Sequence, residues 1–290
     1  MNKILQFLKT YLSLPFKAFR PVPWIRELMV HEKIEKLKEN PRYDDPRSLT
    51  RYGYKIYSQN DEDGIIREIF KRIGTTDKIF VEFGVGNGLQ NNTLALLFDG
   101  WSGLWIEASK KNVGKIRKGF QNTIGNGRLN VVQAFITKNN IDELISSEFS
   151  GSEIDLLSID IDGNDAHIFE NITCIKPRVV VVEYNGKFPP PLKICMAYNE
   201  SNIWHKDDCF GASLKYMESL FTEKGYCLVG CNITGLNAFF VKKDLVQDKF
   251  MPPYTAENHY EPPRYYLQKG AYNSGHPASY RTLETSLTIK

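Results

Sequence analysis

The sequence predicts an α/β fold: a seven-stranded, mainly parallel sheet with helices on both faces and a C-terminal antiparallel hairpin. Three observations predict it. From Lys78 to Tyr184, strand-length apolar runs alternate with helix-length runs. Val179–Val182 is apolar at every position, as suits a central strand buried on both faces. Tyr226–Cys231 and Leu236–Val241 are separated only by Asn232, Ile233, Thr234 and Gly235. That linker is too short for a crossover helix, so the two strands pair antiparallel.

The elements follow in order. Residues 1–56 read as a helical accessory region broken by Pro41 and Pro46. The polar stretch Tyr57–Gly64 leads into a helix over Ile65–Ile73. Strands are expected at Lys78–Phe83, Gly103–Glu107, Asn130–Phe135, Asp155–Asp160 and Arg178–Tyr184. Helices are expected between them at Asn92–Phe98, Lys110–Phe120, Ile141–Phe149 and Ala166–Ile172. Ala212–Lys224 is a further helix, closed by Gly225. The main domain thus covers residues 57–249. Residues 250–290, with many Pro, Tyr and Asn, form an irregular tail packed on it.

Composition narrows the function. The chain has 290 residues, a net charge of +3, 42% hydrophobic and 24% charged residues. These are ordinary values for a globular protein. No basic run with interleaved aromatics marks a nucleic-acid face. Cys174, Cys195, Cys209, Cys227 and Cys231 are scattered and form no C-x-x-C pair, which argues against zinc and for a reducing, cytoplasmic setting. No apolar run is long enough to span a bilayer. Residues 1–26 hold five basic residues and no acidic one, mixed with apolar positions. They read either as a helix docked on its own domain or as a basic amphipathic helix on an anionic membrane surface, at the inner face of the membrane. Self-association is left open.

The chemistry centres on Val81-Glu-Phe-Gly-Val-Gly-Asn-Gly88. A strand ends in glycines on alternate positions, and a helix follows with Asn91, Asn92 and Thr93 placed to cap it. Gly84, Gly86 and Gly88 let backbone N–H groups approach a small cofactor, and the helix start adds electrostatics suited to an anionic group. Leu89 stands where the dinucleotide fingerprint needs glycine. Glu107 ends the next strand and is placed to accept both hydroxyls of a ribose; its bland reading is a solvated strand end. Ala134 and Phe135, at the end of the third strand, are candidate walls for an adenine ring, though Phe135 reads equally as core.

The alternate-glycine spacing resembles motif I of S-adenosylmethionine (SAM)-dependent methyltransferases. The resemblance widens through Tyr57-Ser-Gln-Asn-Asp-Glu-Asp-Gly64, Gly100-Trp-Ser-Gly-Leu-Trp-Ile-Glu107, Ile159-Asp-Ile-Asp-Gly-Asn-Asp165, Val181-Val-Glu-Tyr-Asn185, Gly211-Ala-Ser-Leu214 and Gly235-Leu-Asn-Ala-Phe-Phe240. Over roughly residues 55–245 the chain resembles the FkbM-type branch of class I methyltransferases, a Rossmann-like fold. The resemblance implies SAM as cofactor and O-methylation of a sugar hydroxyl in surface-polysaccharide or related glycan biosynthesis. The acceptor is then a sugar nucleotide, glycan or glycolipid. The expected cofactor set is Gln59, Asp63, Glu82, Gly84, Gly86, Gly88, Asn92, Thr93, Glu107, Ala134, Phe135 and Asp160.

Asp160 and Asp162 end the fourth strand, and Glu183 and Asn185 end the fifth. Parallel neighbours bring these groups to one rim. Gathered carboxylates repel unless something neutralises them, and a cation with oxygen ligands does so. Asp160, Asp162, Glu183 and Asn185 are therefore candidate ligands for Mg2+ or Mn2+. Two alternatives stand beside this: one carboxylate is a general base, or Asp162 caps the following helix. His205, in the loop Ser201–Asp208, is a candidate base ranked above His167. Asp160, Asp162 and His205 form the expected catalytic set. Tyr184, Tyr198 and Trp204 are candidates for stacking on a sugar. The competing functions are a glycosyltransferase using Asp160-Ile-Asp162 as a metal-binding D-x-D, and a non-catalytic protein keeping the fold.

Overall fold

The computed structural model describes residues 23–149, 151, 153–268 and 276–282. The chain divides into two compact units, residues 1–41 and residues 42–290. In the first, helix α1 (Pro23–Lys38) ends in Lys36 and Lys38, whose charges complement its C-terminal dipole. Most of the basic stretch 1–26 lies outside the described residues. No helix among the described residues is long and apolar enough to cross a membrane.

The second unit begins before residue 57. Tyr43, Leu49 and Thr50 are buried in it. The Tyr43 hydroxyl donates to Glu261, and the Thr50 hydroxyl donates to the Cys231 carbonyl. Residues 42–56 therefore belong to the sheet unit, because their side chains find partners there. Part of the tail packs on the same unit, with Phe250, Ala256, His259, Tyr265 and Leu267 buried.

The sheet comprises β1 (Ile79–Phe83), β2 (Ser102–Glu107), β3 (Leu129–Gln133), β4 (Glu153–Ile159), β5 (Lys176–Glu183), β6 (Tyr226–Cys231) and β7 (Asn237–Lys242). Its order is β3-β2-β1-β4-β5-β7-β6. The first five strands are parallel, and β7 runs antiparallel to both β5 and β6. The chain reverses direction of winding between β1 and β4, the place where open α/β sheets leave a crevice.

Strand periodicity sorts the core. Val180 and Val182 join one apolar cluster, and Val179 and Val181 join the other. The first cluster is covered by α6 (Ile141–Ser146), α7 (Asp165–Asn171) and α8 (Leu214–Glu223). Within it Phe169, Phe221 and Phe240 stack with centroids 3.8 and 3.9 Å apart. The second is covered by α2 (Glu62–Ile73) and α3 (Leu94–Phe98), with Trp101 and Trp105 filling large volumes. Two short helices, α4 (Lys110–Gly119) and α5 (Gln121–Gly125), link β2 to β3.

Candidate functional site

The β1–α3 turn is a glycine turn, with Gly84, Gly86 and Gly88 at φ +74°, +57° and +76°. Each lacks a side chain for a different reason. A Cβ on Gly84 would sit 1.7 Å from the Asp160 carbonyl, so this glycine lets the ends of β1 and β4 close together. A Cβ on Gly88 would press on Trp105, Ile116 and Phe120. A Cβ on Gly86 would meet nothing within 4 Å, and Gly86 lines the cavity. Their N–H groups do not serve as expected. Gly84 donates to Ile106, Gly86 to Glu107 and Gly88 to Val85. The turn offers a ligand bare space in place of hydrogen-bond donors.

The helix start is also spent. The Glu82 carboxylate is buried and accepts from the backbone N–H of Asn92 and Thr93, the Asn91 amide and the hydroxyls of Thr93 and Ser158. Burial pushes Glu82 up to about 7 despite these bonds. Glu82 thus occupies the place expected for an anionic group. Asn92 donates to Ser158, and Thr93 accepts from the Trp105 indole, so neither caps α3 by its side chain. This is why the helix starts at Leu94. Asp63 likewise holds structure: it accepts from the N–H groups of Ile56, Tyr57 and Ser58. Glu82, Gly88, Asn92, Thr93 and Asp63 shape the turn from behind and do not line the cavity.

A cavity of about 630 Å³ lies across the carboxyl ends of the strands. It runs from Ala134 and Phe135 after β3, past Glu107 on β2 and Gly84 after β1, to Asp160 after β4, Glu183 on β5 and Asn237 on β7. Gln59 lines it as well. Glu107 is buried, and its two oxygens accept from Gly86 N–H and Ser109 N–H, each at 2.8 Å. Each oxygen keeps a further lone pair. Phe135 is half exposed at the mouth, so it is a wall and not core.

Asp160, Asp162 and Glu183 converge, with one carboxylate oxygen from each within 4.8 Å of the other two. Burial raises Asp160 well above the carboxylate range, and the charges of Asp162 and Asp165 raise it further. Glu183 is raised by burial and then by Asp160. Asp162 is raised by burial and then by Glu107. Asp162 sits at φ +57°, a left-handed conformation Asp tolerates. It does not cap α7. Asp165 closes that loop by accepting from Ile161 and Gly163, and burial lifts Asp165 to about 6. Among the described residues lining the cavity there is no Lys or Arg, while four carboxylates are present: Glu107, Asp160, Asp162 and Glu183.

Two expected site residues lie elsewhere. Asn185 is fully buried, and its amide donates to the carbonyls of Asp208 and Phe210, so it braces a loop instead of joining the three carboxylates. His205 is exposed and does not line the cavity. The His167 ring nitrogen lies 2.7 Å from the Met196 carbonyl, a structural bond. The Tyr184 hydroxyl donates to the Glu261 carbonyl, and the Tyr198 hydroxyl accepts from Lys138 N–H; of the three aromatics expected to stack, Trp204 reaches the cavity. Sequence reading missed Asn112, Tyr265 and His276 as cavity residues. Asn60 and Asn237, which stand within the motifs Tyr57–Gly64 and Gly235–Phe240, line the cavity too. The tail residues carried no motif that could have found them.

No family model matches the chain, and no curated protein matches it in sequence. Similar solved structures include magnesium protoporphyrin IX methyltransferase from Synechocystis PCC 6803 with bound SAM, at 11% identity and TM-score 0.42 over 73% of this chain and 97% of that one. Another is the N-terminal domain of EvdMO1 with S-adenosylhomocysteine (SAH) bound, at 12% identity and TM-score 0.41 over 73% and 94%. A third is a Staphylococcus aureus protein assigned as a caffeoyl-CoA O-methyltransferase, at 15% identity and TM-score 0.42 over 76% and 97%. Likeness at this level carries no weight for activity, which rests on the chain's own residues.

Proposed function

We propose that the chain is a SAM-dependent methyltransferase acting on a sugar hydroxyl. One observation carries the reading: a single cavity at the sheet's switch point joins the bare Gly86, the Glu107 carboxylate and three further carboxylates, with no Lys or Arg among its described lining residues. SAM is a nucleoside with a sulfonium and an ammonium, and such cations are favoured beside unneutralised carboxylates. The glycosyltransferase reading is disfavoured because Gly86 and Glu107 already shape a nucleoside site at the crossover between β1 and β4.

SAM, when bound, supplies a methyl group made electrophilic by its sulfonium. The remaining lone pairs of Glu107 accept the ribose hydroxyls. Ala134 and Phe135 flank the adenine. Asp160, beside Glu183, takes the one proton of the acceptor hydroxyl as its oxygen attacks. Fixing both reactants in line contributes much of the rate. Asp160, Asp162 and Glu183 also fit one divalent cation, because oxygens on one such ion lie at most about 4–5 Å apart. A cation there would orient the acceptor hydroxyl and lower its pKa.

Calorimetric titration of SAH into wild type and Glu107→Ala tests the cofactor site. Binding to wild type, weakened on the order of 100-fold by loss of two hydrogen bonds, is expected. Absent or equal binding overturns the reading. Labelled SAM with a panel of glycans, read by mass spectrometry, tests the reaction.

A further inference from the structure

The cavity has a second end that cofactor contacts do not use. It is built by the loop before Gly211, the start of β7 and the tail. Trp204, Phe210, Tyr265 and His276 line it together. The His276 ring meets Trp204 and Tyr265 with centroids 4.7 Å apart, and Phe210 at 5.6 Å, all near edge-to-face. The tail is tied down there. Asp208 accepts from Ser279 N–H and the Thr282 hydroxyl, and its own N–H donates to the Pro277 carbonyl. The Lys187 ammonium donates to the His276 carbonyl at 2.6 Å and pairs with Asp208.

Two polar atoms at this end have no partner among the described residues: the Tyr265 hydroxyl and Asn237 Oδ1. Each side chain is only 7% exposed. Asn237 sits opposite Glu183 in the β5–β7 register, and its Nδ2 is committed to Glu62. A buried donor and a buried acceptor left unmade are costly, so such pairs mark places where a ligand completes the bonds. Burial, and then the Lys187 charge, hold the His276 imidazole below its ordinary value.

We propose that Trp204, Phe210, Tyr265, His276 and Asn237 form the acceptor subsite, and that it selects an uncharged, hydroxylated ring over a phosphorylated or nucleotide-linked one. The assignment rests on the methyltransferase reading. A saturated sugar ring has an apolar C–H face that packs on aromatic walls and a rim of hydroxyls. The Tyr265 hydroxyl donates to one ring oxygen, and Asn237 Oδ1 accepts from a ring hydroxyl. Glu183, directly across the strand pair, then lies beside that rim. In metal-free solution the four lining carboxylates repel a phosphate.

The test is direct binding of neutral methyl hexopyranosides and of UDP-glucose, by saturation-transfer NMR, to the full chain and to Tyr265→Phe and Trp204→Ala. SAH affinity is measured on the same proteins. Neutral glycosides are expected to bind wild type, about tenfold more weakly to Tyr265→Phe, with SAH affinity unchanged. Trp204, being partly exposed, gives a second variant that keeps the fold. The subsite is overturned if no glycoside binds wild type, if both variants bind as wild type does, or if UDP-glucose binds better than methyl glucoside. Tyr265-dependent glycoside binding without SAH binding would leave the subsite standing and remove the methyltransferase reading.

Discussion

Strand β4 carries an aspartate near each end, and the two fare differently. Asp155, at the amino end, is fully buried and fully partnered. It accepts from Arg178 at 2.6 Å and from the N–H groups of Thr76 and Lys78. Arg178 in turn donates to the carbonyls of Ile73 and Gly74. Asp160, just past the carboxyl end, faces Asp162 and Glu183, with no Lys or Arg among the described residues lining their cavity. One aspartate ties strands and loops together; the other stands among carboxylates, where burial and their charges hold it above the ordinary carboxylate range. Perturbed carboxylates of that kind concentrate at functional sites, where stability is given up for chemistry.

The contrast can be broken at either end. Asp160→Asn should lower methyl transfer by about 10²–10⁴-fold, the usual share of a general base. The same change should raise thermal stability at pH 8, because it relieves repulsion with Glu183 and Asp162. A matching loss of stability would place Asp160 with Asp155 as a structural group. Arg178→Met should cost about 3–5 kcal/mol in urea unfolding, since it leaves Asp155 buried without its cation. Activity per folded molecule should hold.

Acidity sharpens the comparison. Glu82 and Asp165 have ordinary values of 4.5 and 3.8 and stand at about 7 and about 6 in the fold. Both hold protons more tightly folded than unfolded. Their contribution to stability is therefore full below about pH 4 and is lost as pH rises through 6 and 7. Melting temperature should fall from pH 5 to pH 8, with Glu82 alone worth on the order of 3 kcal/mol. Glu82→Gln should flatten that slope. SAH, Mg2+ or Mn2+ should raise the pH 8 melting temperature by binding the carboxylate rim. A slope unchanged by Glu82→Gln would show that burial of this carboxylate is not what sets it.

The glycines give a smaller effect with a clear order. Gly84→Ala must push the ends of β1 and β4 apart, because its Cβ meets the Asp160 carbonyl. Gly86→Ala meets no atom and costs only its left-handed backbone, about 1–2 kcal/mol. Unfolding in urea should rank Gly84→Ala as the more damaging. His205→Ala should change methyl transfer by less than about twofold, since the side chain stands outside the cavity. A larger loss would bring the Ser201–Asp208 loop into the chemistry.

By itself the sequence determined the strands, their order of appearance and the hairpin, because local periodicity and linker length report these directly. It also located Glu107, Asp160, Asp162 and Glu183, because strand ends of a parallel sheet share one rim. Which motif side chains face the ligand was decided by tertiary structure. Glu82 shares the parity of Phe80, so it points under α3, where Asn92 and Thr93 consume it. Asn185 turns inward for the same kind of reason, to carbonyls left open by the loop at Asp208 and Phe210. Tyr265 and His276 reach the cavity only because the tail folds back onto Asp208 and Lys187. Contacts between residues so distant in sequence leave no periodicity to read. They arise when the packed sheet presents unfilled hydrogen bonds and apolar surface for a returning segment to cover.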